Sequence, residues 1–152
     1  MVKKHIRNRG KNYIFAELGG VGYFYSLNYE RRLFNHYLAR VGFSKWSLKS
    51  NDNIFNTTID ALIFPVSIAT TLGNKSSMLE IGGGISYIQI SANSTFQFMS
   101  DESTNSGFFY QMNLSFRGEP SNLPLMYKIG FTPILSNNEF YPWVSVCIGV
   151  NY

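Results

Sequence analysis

Apolar and polar residues alternate at every step through residues 144–152. Val144, Val146, Ile148, Val150 and Tyr152 form one set, and Ser145, Cys147, Gly149 and Asn151 the other. A period of two places the sets on opposite faces of a β-strand. The same pattern recurs toward the N-terminus. Leu125, Tyr127, Ile129 and Phe131 alternate with Met126, Lys128, Gly130 and Thr132, and Phe108, Tyr110, Met112, Leu114 and Phe116 with Phe109, Gln111, Asn113, Ser115 and Arg117. Leu79, Ile81, Gly83, Ile85 and Tyr87 oppose Glu80, Gly82, Gly84 and Ser86, whereas residues 62–70, around Pro65, alternate least cleanly. Tyr37, Ala39, Val41 and Phe43 oppose Leu38, Arg40, Gly42 and Ser44. Tyr23, Tyr25, Leu27 and Tyr29 oppose Phe24, Ser26, Asn28 and Glu30, and Ile14, Ala16 and Leu18 oppose Phe15 and Glu17. The pattern predicts eight strands.

The connections sort by length. Residues 32–35, 73–77 and 119–122 are short and carry turn formers, whereas 47–56, 91–106 and 136–141 are longer and mostly rich in Ser, Asn, Asp and Thr. Short and long alternate, so each kind occupies one rim, and both termini fall on the short-turn rim. Residues 19–22, Gly-Gly-Val-Gly, are the exception, a tight turn on the long-loop rim. With that direction, the apolar face is sorted along the strands. Tyr37, Phe116, Tyr127 and Tyr152 sit near the short-turn end, and Tyr23, Tyr25, Phe43, Tyr87, Phe108 and Tyr110 near the other. Ala39, Val41, Ile81, Ile85, Leu114, Ile129, Val146 and Ile148 lie between. Aromatic edges around an aliphatic middle match the outward band of a transmembrane barrel. The expected fold is an all-β, eight-stranded, antiparallel up-and-down transmembrane β-barrel.

Composition narrows the picture. The 152 residues suit one barrel domain, residues 13–152, behind a basic tail, residues 1–12. Charged residues are 14% and aromatics 16%, yet mean hydropathy is −0.07, so apolarity is carried by alternation rather than by long runs. The longest apolar stretch, residues 61–66, is far below the ~18 residues of a membrane helix. The net charge of +4 comes from the tail: without Lys3, Lys4, Arg7, Arg9 and Lys11, 8 basic residues face 9 acidic ones. That removes the case for a nucleic-acid partner. The tail reads as solvated chain, with contact to lipid phosphates or an acidic partner as the alternative. Cys147 is the single cysteine and reads as packing. Residues 1–4 lead into charge rather than an apolar segment, so no secretory leader is expected in this sequence.

On the polar face, Glu17, Glu30, Arg40, Glu80 and Lys128 are interleaved with glycines. The bore of an eight-stranded barrel is just wide enough to be filled by side chains, and ions inside it must pair. These five residues are expected to form a structural salt-bridge network in the lumen. A narrow ion path gated by the pairs and acid/base catalysis by the carboxylates are the alternatives. No catalytic, cofactor-binding or metal-binding residues are expected: His5 and His36 lie apart, and Gly82-Gly83-Gly84 reads as close packing within a strand. Phe96, Phe98 and Met99 in the longest connection read as a strand extension past the membrane or as a partner-binding tip.

From about Tyr13 to Tyr152 the chain resembles the small OmpA- or OmpX-type outer-membrane barrels. More narrowly, residues 17–22 (ELGGVG) with 25–32 (YSLNYERR), residues 79–84 (LEIGGG) and residues 130–133 (GFTP) resemble uncharacterised outer-membrane proteins of Bacteroidota. The resemblance implies an outer-membrane address with both termini periplasmic and surrounding lipid as a partner. It also implies insertion by the barrel-assembly machinery, which reads the final strand with Tyr152 as its signal. It brings no catalytic residues. The expected role is therefore a non-enzymatic structural or accessory subunit acting with other outer-membrane proteins, or a surface-binding barrel. A minimal pore and a soluble lipocalin-like barrel, with its apolar face inward around a small apolar ligand, are the alternatives.

Overall fold

The computed structural model describes residues 11–152 apart from 35, 52–54, 74–75, 97–98 and 137–138, and gives no side chains at 51, 55–56, 94–96 and 99–102. The tail's residues 1–10 and Phe98 lie outside the described residues.

Each alternating run forms a strand: β1 (Asn12–Gly19), β2 (Tyr25–Arg32), β3 (Tyr37–Asn51), β4 (Phe55–Gly73), β5 (Ser77–Phe96), β6 (Met99–Gly118), β7 (Leu125–Phe131), β8 (Ile134–Ser136), β9 (Glu139–Tyr141) and β10 (Val144–Asn151). Every strand pairs antiparallel with its neighbour, and β1 closes on β10 from Tyr13↔Asn151 to Gly19↔Ser145. Ten segments make eight walls. β7 and β8 continue one line along β6, from Phe131↔Leu114 to Leu135↔Tyr110, and β9 and β10 continue one line opposite them. Pro133 and Pro142 interrupt these lines without shifting the register, because the Thr132 N–H still donates to the Trp143 carbonyl at 2.8 Å. The Met112 N–H donates to the Pro133 carbonyl at 3.0 Å, and proline has no N–H to return. The Pro133 ring therefore removes one ladder bond at that point.

The two faces separate as the alternation predicts. Val41, Ile81, Leu114, Ile129, Val146 and Ile148 point outward and are 41–61% exposed, while Glu30, Glu80, Arg117 and Ser86 are fully buried inside. This is the reverse of a lipocalin, which holds its apolar face inward. Among the described residues, no helix is long and apolar enough to cross a membrane. On neighbouring strands, Phe43, Phe64, Tyr87 and Phe108 fall in one outward row. Ring centroids lie 5.4 Å apart for Phe43–Phe64 and 5.3 Å for Tyr87–Phe108, and Phe64 pairs with Tyr87. The row is an aromatic girdle built by register.

Two expectations need correction. Residues 47–56 and 91–106 are for the most part not loops. Their Ser, Thr and Asn residues continue the ladders, with β4 and β5 paired from Phe55↔Phe96 to Gly73↔Met78. At 20 residues and ~3.3 Å per residue, β5 runs ~66 Å, where 9–11 residues cross a bilayer. β3–β6 thus form a four-stranded sheet that projects well past the girdle. Tyr23, expected on the outward face, turns inward, and Phe24, expected inside, is 51% exposed. Tyr23 has φ +64°, following Gly19 and Gly20 at +73° and +63°, and this left-handed turn shifts the alternation.

Candidate functional site

The first hairpin does not extend over the rim; its turn folds into the mouth. Val21 and Gly22 are buried, and the Ser44 hydroxyl donates to the Gly22 carbonyl at 3.1 Å. A side chain at Gly20 would meet the Glu17 carboxylate at 2.7 Å, so glycine is what lets the turn settle there. Beside it, Ile63, Phe109 and Ile134 are buried, and Tyr23, Ile88 and Trp143 pack against them. Tyr23 stacks edge-on to Phe109 and Trp143, with centroids 6.2 and 5.8 Å away. An apolar lid therefore fills the outer end of the bore.

Below the lid, the interior is polar and layered. Glu17 is buried and accepts hydrogen bonds from Ser26 at 3.1 Å and, weakly, from the Cys147 thiol at 3.7 Å. The next layer is ionic. Glu80 meets Arg40 Nη2 at 2.8 Å, Arg117 Nη1 at 2.8 Å and Lys128 Nζ at 3.2 Å, and Asn113 donates to it at 2.8 Å. Glu30 pairs with Arg117, with Arg40 Nε at 3.4 Å and with Lys128 Nζ at 3.4 Å. The Phe15 ring caps the cations, 4.3 Å from Lys128 Nζ and 5.1 Å from the Arg40 guanidinium. At the short-turn end, Glu119 receives Arg117 Nε at 2.6 Å and Arg32 Nη2 at 3.1 Å, while the Arg117 guanidinium sits 4.4 Å over the Tyr13 ring.

Of the five expected lumen residues, Glu30, Arg40, Glu80 and Lys128 meet in one cluster. Glu17 is in the lumen but one layer outward, held by hydroxyl and thiol donors rather than by an ion pair. The cluster's centre is Arg117, fully buried and bridging three carboxylates. Its place on the inward face of β6 was readable from the alternation; its reach across the bore was not. Arg32 and Glu119 also escaped, since both stand where strand meets turn. Lumen charge balances: Arg32, Arg40, Arg117 and Lys128 against Glu17, Glu30, Glu80 and Glu119. Balance is required, because an uncompensated buried ion costs several kcal/mol.

The carboxylates are held by cations and donors deep inside the wall, and among the described residues no group of three His, Cys, Asp or Glu side chains could hold a metal ion. Tyr152 lies outward at 59% exposure, its main chain exchanging hydrogen bonds with Asn12 at 3.0 and 3.2 Å. What the geometry offers is a filled cylinder with an apolar exterior and one tall side.

That is the fold of the small eight-stranded outer-membrane barrels. Ail, the attachment invasion locus protein of Yersinia pestis, is 12% identical with a TM-score of 0.59 over 95% of this chain and 99% of its own. The N-terminal β-barrel domain of Pseudomonas aeruginosa OprF is 7% identical, with a TM-score of 0.68 over 95% and 100%. Neisserial surface protein A is 9% identical, with a TM-score of 0.61 over 96% and 100%. Ail has also been solved in complex with the heparin analogue sucrose octasulfate. No family model and no curated relative matches the sequence. The shared fold does not bear on the narrower resemblance to proteins of Bacteroidota.

Proposed function

We propose that this chain is a non-enzymatic outer-membrane barrel that presents the projecting sheet of β3–β6 at the cell surface as a binding platform. The short turns and both termini face the periplasm, and Tyr152 serves the barrel-assembly machinery as its signal. The projecting sheet carries the reading. β4–β6 run about twice the length a membrane needs and β3 about one and a half times, and their extensions are polar. On the flanks, pairing with β2 stops at Phe43 and pairing with β8 stops at Tyr110. Beyond those points the edges of β3 and β6 have no partner strand among the described residues. Unpaired edges are templates for an added strand.

Charge narrows the ligand. Among the described residues, the outer third holds Lys45 and Lys49 against Asp60, Asp101, Glu102 and Glu139, a net of −2. Ail's complex with a sulfated heparin analogue is therefore a poor guide, and an extended neutral or basic peptide suits this surface better. Photo-crosslinking in native membranes tests the proposal. A crosslinking residue placed at Lys49 or Ser103 should capture a partner, while one at Ile129 or Ile148 should capture only lipid. Capture from the wall positions alone would instead favour an accessory subunit packed inside the membrane.

A further inference from the structure

We propose that the short-turn rim holds a phosphate-binding site for anionic phospholipid, formed by Lys11, Arg31 and the cleft beside Phe34. It rests on the orientation proposed above, which makes this the inner-leaflet interface. The charge of the described residues divides by height. The lumen groups cancel, the outer third nets −2, and the cations that remain are Lys11 and Arg31, with no acid among them.

The backbone fixes both. Lys11 accepts the Arg32 N–H at 2.7 Å, and Arg31 pairs with Asn12 on one side and Ala39 on the other, neither of them charged. Both side chains are exposed, and among the described residues neither forms an ion pair. Around them stand large apolar groups. Phe34 is 72% exposed, Tyr37 59% and Leu33 53%, with the Phe34 and Tyr37 rings edge to face at 6.4 Å. A cleft of about 330 Å³ opens between Lys11, Arg32, Leu33 and Phe34. Arg32 turns inward to Glu119 and Tyr13, which leaves the Lys11 ammonium to meet an anion there. A soluble polyanion would neutralise the cations and leave Leu33, Phe34 and Tyr37 in water. A phospholipid satisfies both, with its phosphate at the Lys11 ammonium in the cleft, Arg31 on the adjoining outward face, and its acyl chains along the apolar side chains.

The full barrel in nanodiscs of equal phosphatidylglycerol and phosphatidylcholine provides the test, with retained lipid identified by native mass spectrometry. Phosphatidylglycerol should be retained in preference, by about fivefold for each cation. Lys11→Gln/Arg31→Gln should return the ratio to that of the bulk lipid, with gel migration unchanged because both residues are exposed. An equal ratio in the wild type, or a preference that survives this double substitution, overturns the proposal. So does a preference that disappears only when Lys3, Lys4, Arg7 and Arg9 are neutralised, which would assign it to the tail. Loss of binding to purified peptidoglycan in the double variant, with its lipid ratio unchanged, would place a cell-wall polymer at the site instead. Orientation is tested apart from lipid, since both nanodisc leaflets have one composition. Labelling of Ser121→Cys by an impermeant maleimide on intact cells would refute the orientation and leave the lipid ratio standing.

Discussion

At the level of single residues, the two faces of one strand make opposite demands. Ile148 is 61% exposed on the outward wall, and its neighbour Cys147 is buried against Glu17. Arginine on the lipid face near the bilayer midplane costs about 2–4 kcal/mol. Ile148→Arg should therefore prevent assembly or lower the urea midpoint in vesicles strongly, whereas Cys147→Ser, nearly isosteric and still a donor, should leave it within error. Normal assembly of Ile148→Arg would contradict a membrane-spanning wall. Arg117 matters for another reason. Removing it leaves Glu30, Glu80 and Glu119 short of their central cation, and breaking a buried pair costs about 3–5 kcal/mol. Arg117→Ala should lose stability on that scale in the same unfolding experiment. Replacing Arg117, Glu30 and Glu80 together by apolar residues should lose less, since no lone charge remains. Alternation made the inward side of each of these residues legible. It could not show that Glu17 sits a layer away from Glu30, because strand tilt sets depth and tilt leaves no mark on the period.

Among the elements, the strands were legible and their ends were not. The membrane-crossing portions declare themselves because one face must be apolar. Past the girdle both faces meet water, so Ser, Thr and Asn serve equally well in a ladder or a loop, and residues 47–56 and 91–106 read as loops. Tyr23 was misplaced for a local reason, since positive φ at Gly19, Gly20 and Tyr23 reverses the alternation within one turn. The extensions and the barrel are separable in energy. The crossing walls hold the lid and the ion network, and the extensions contribute mainly edge pairing. Replacing residues 47–60 and 91–104 by tight turns should leave heat-modifiable gel migration intact while abolishing co-purification of the partner from native membranes. Loss of folding on trimming would mean that the extensions help to nucleate the barrel.

For the molecule as a whole, the interior is closed twice, by an apolar lid at one end and by a neutral ion cluster beneath it. Planar-bilayer recordings of the refolded wild type should show no stepwise conductance. Regular steps would support the minimal-pore alternative and imply that the Arg117 cluster opens. The general architecture was readable in advance because every level agreed: period, loop order and the sorting of aromatics by height. The lid was not, as it depends on a hairpin folding inward.

The walls also differ in how firmly they are joined. β5 and β6 share twenty residue pairs, from Ser77↔Gly118 to Phe96↔Met99, whereas the join between the first strand and the last has seven. That join unites the two ends of the chain, so it is the last to form once the tall hairpins have zipped locally. Newly made barrels would then pass through an open sheet whose tall strands are already paired and whose two short strands still await each other.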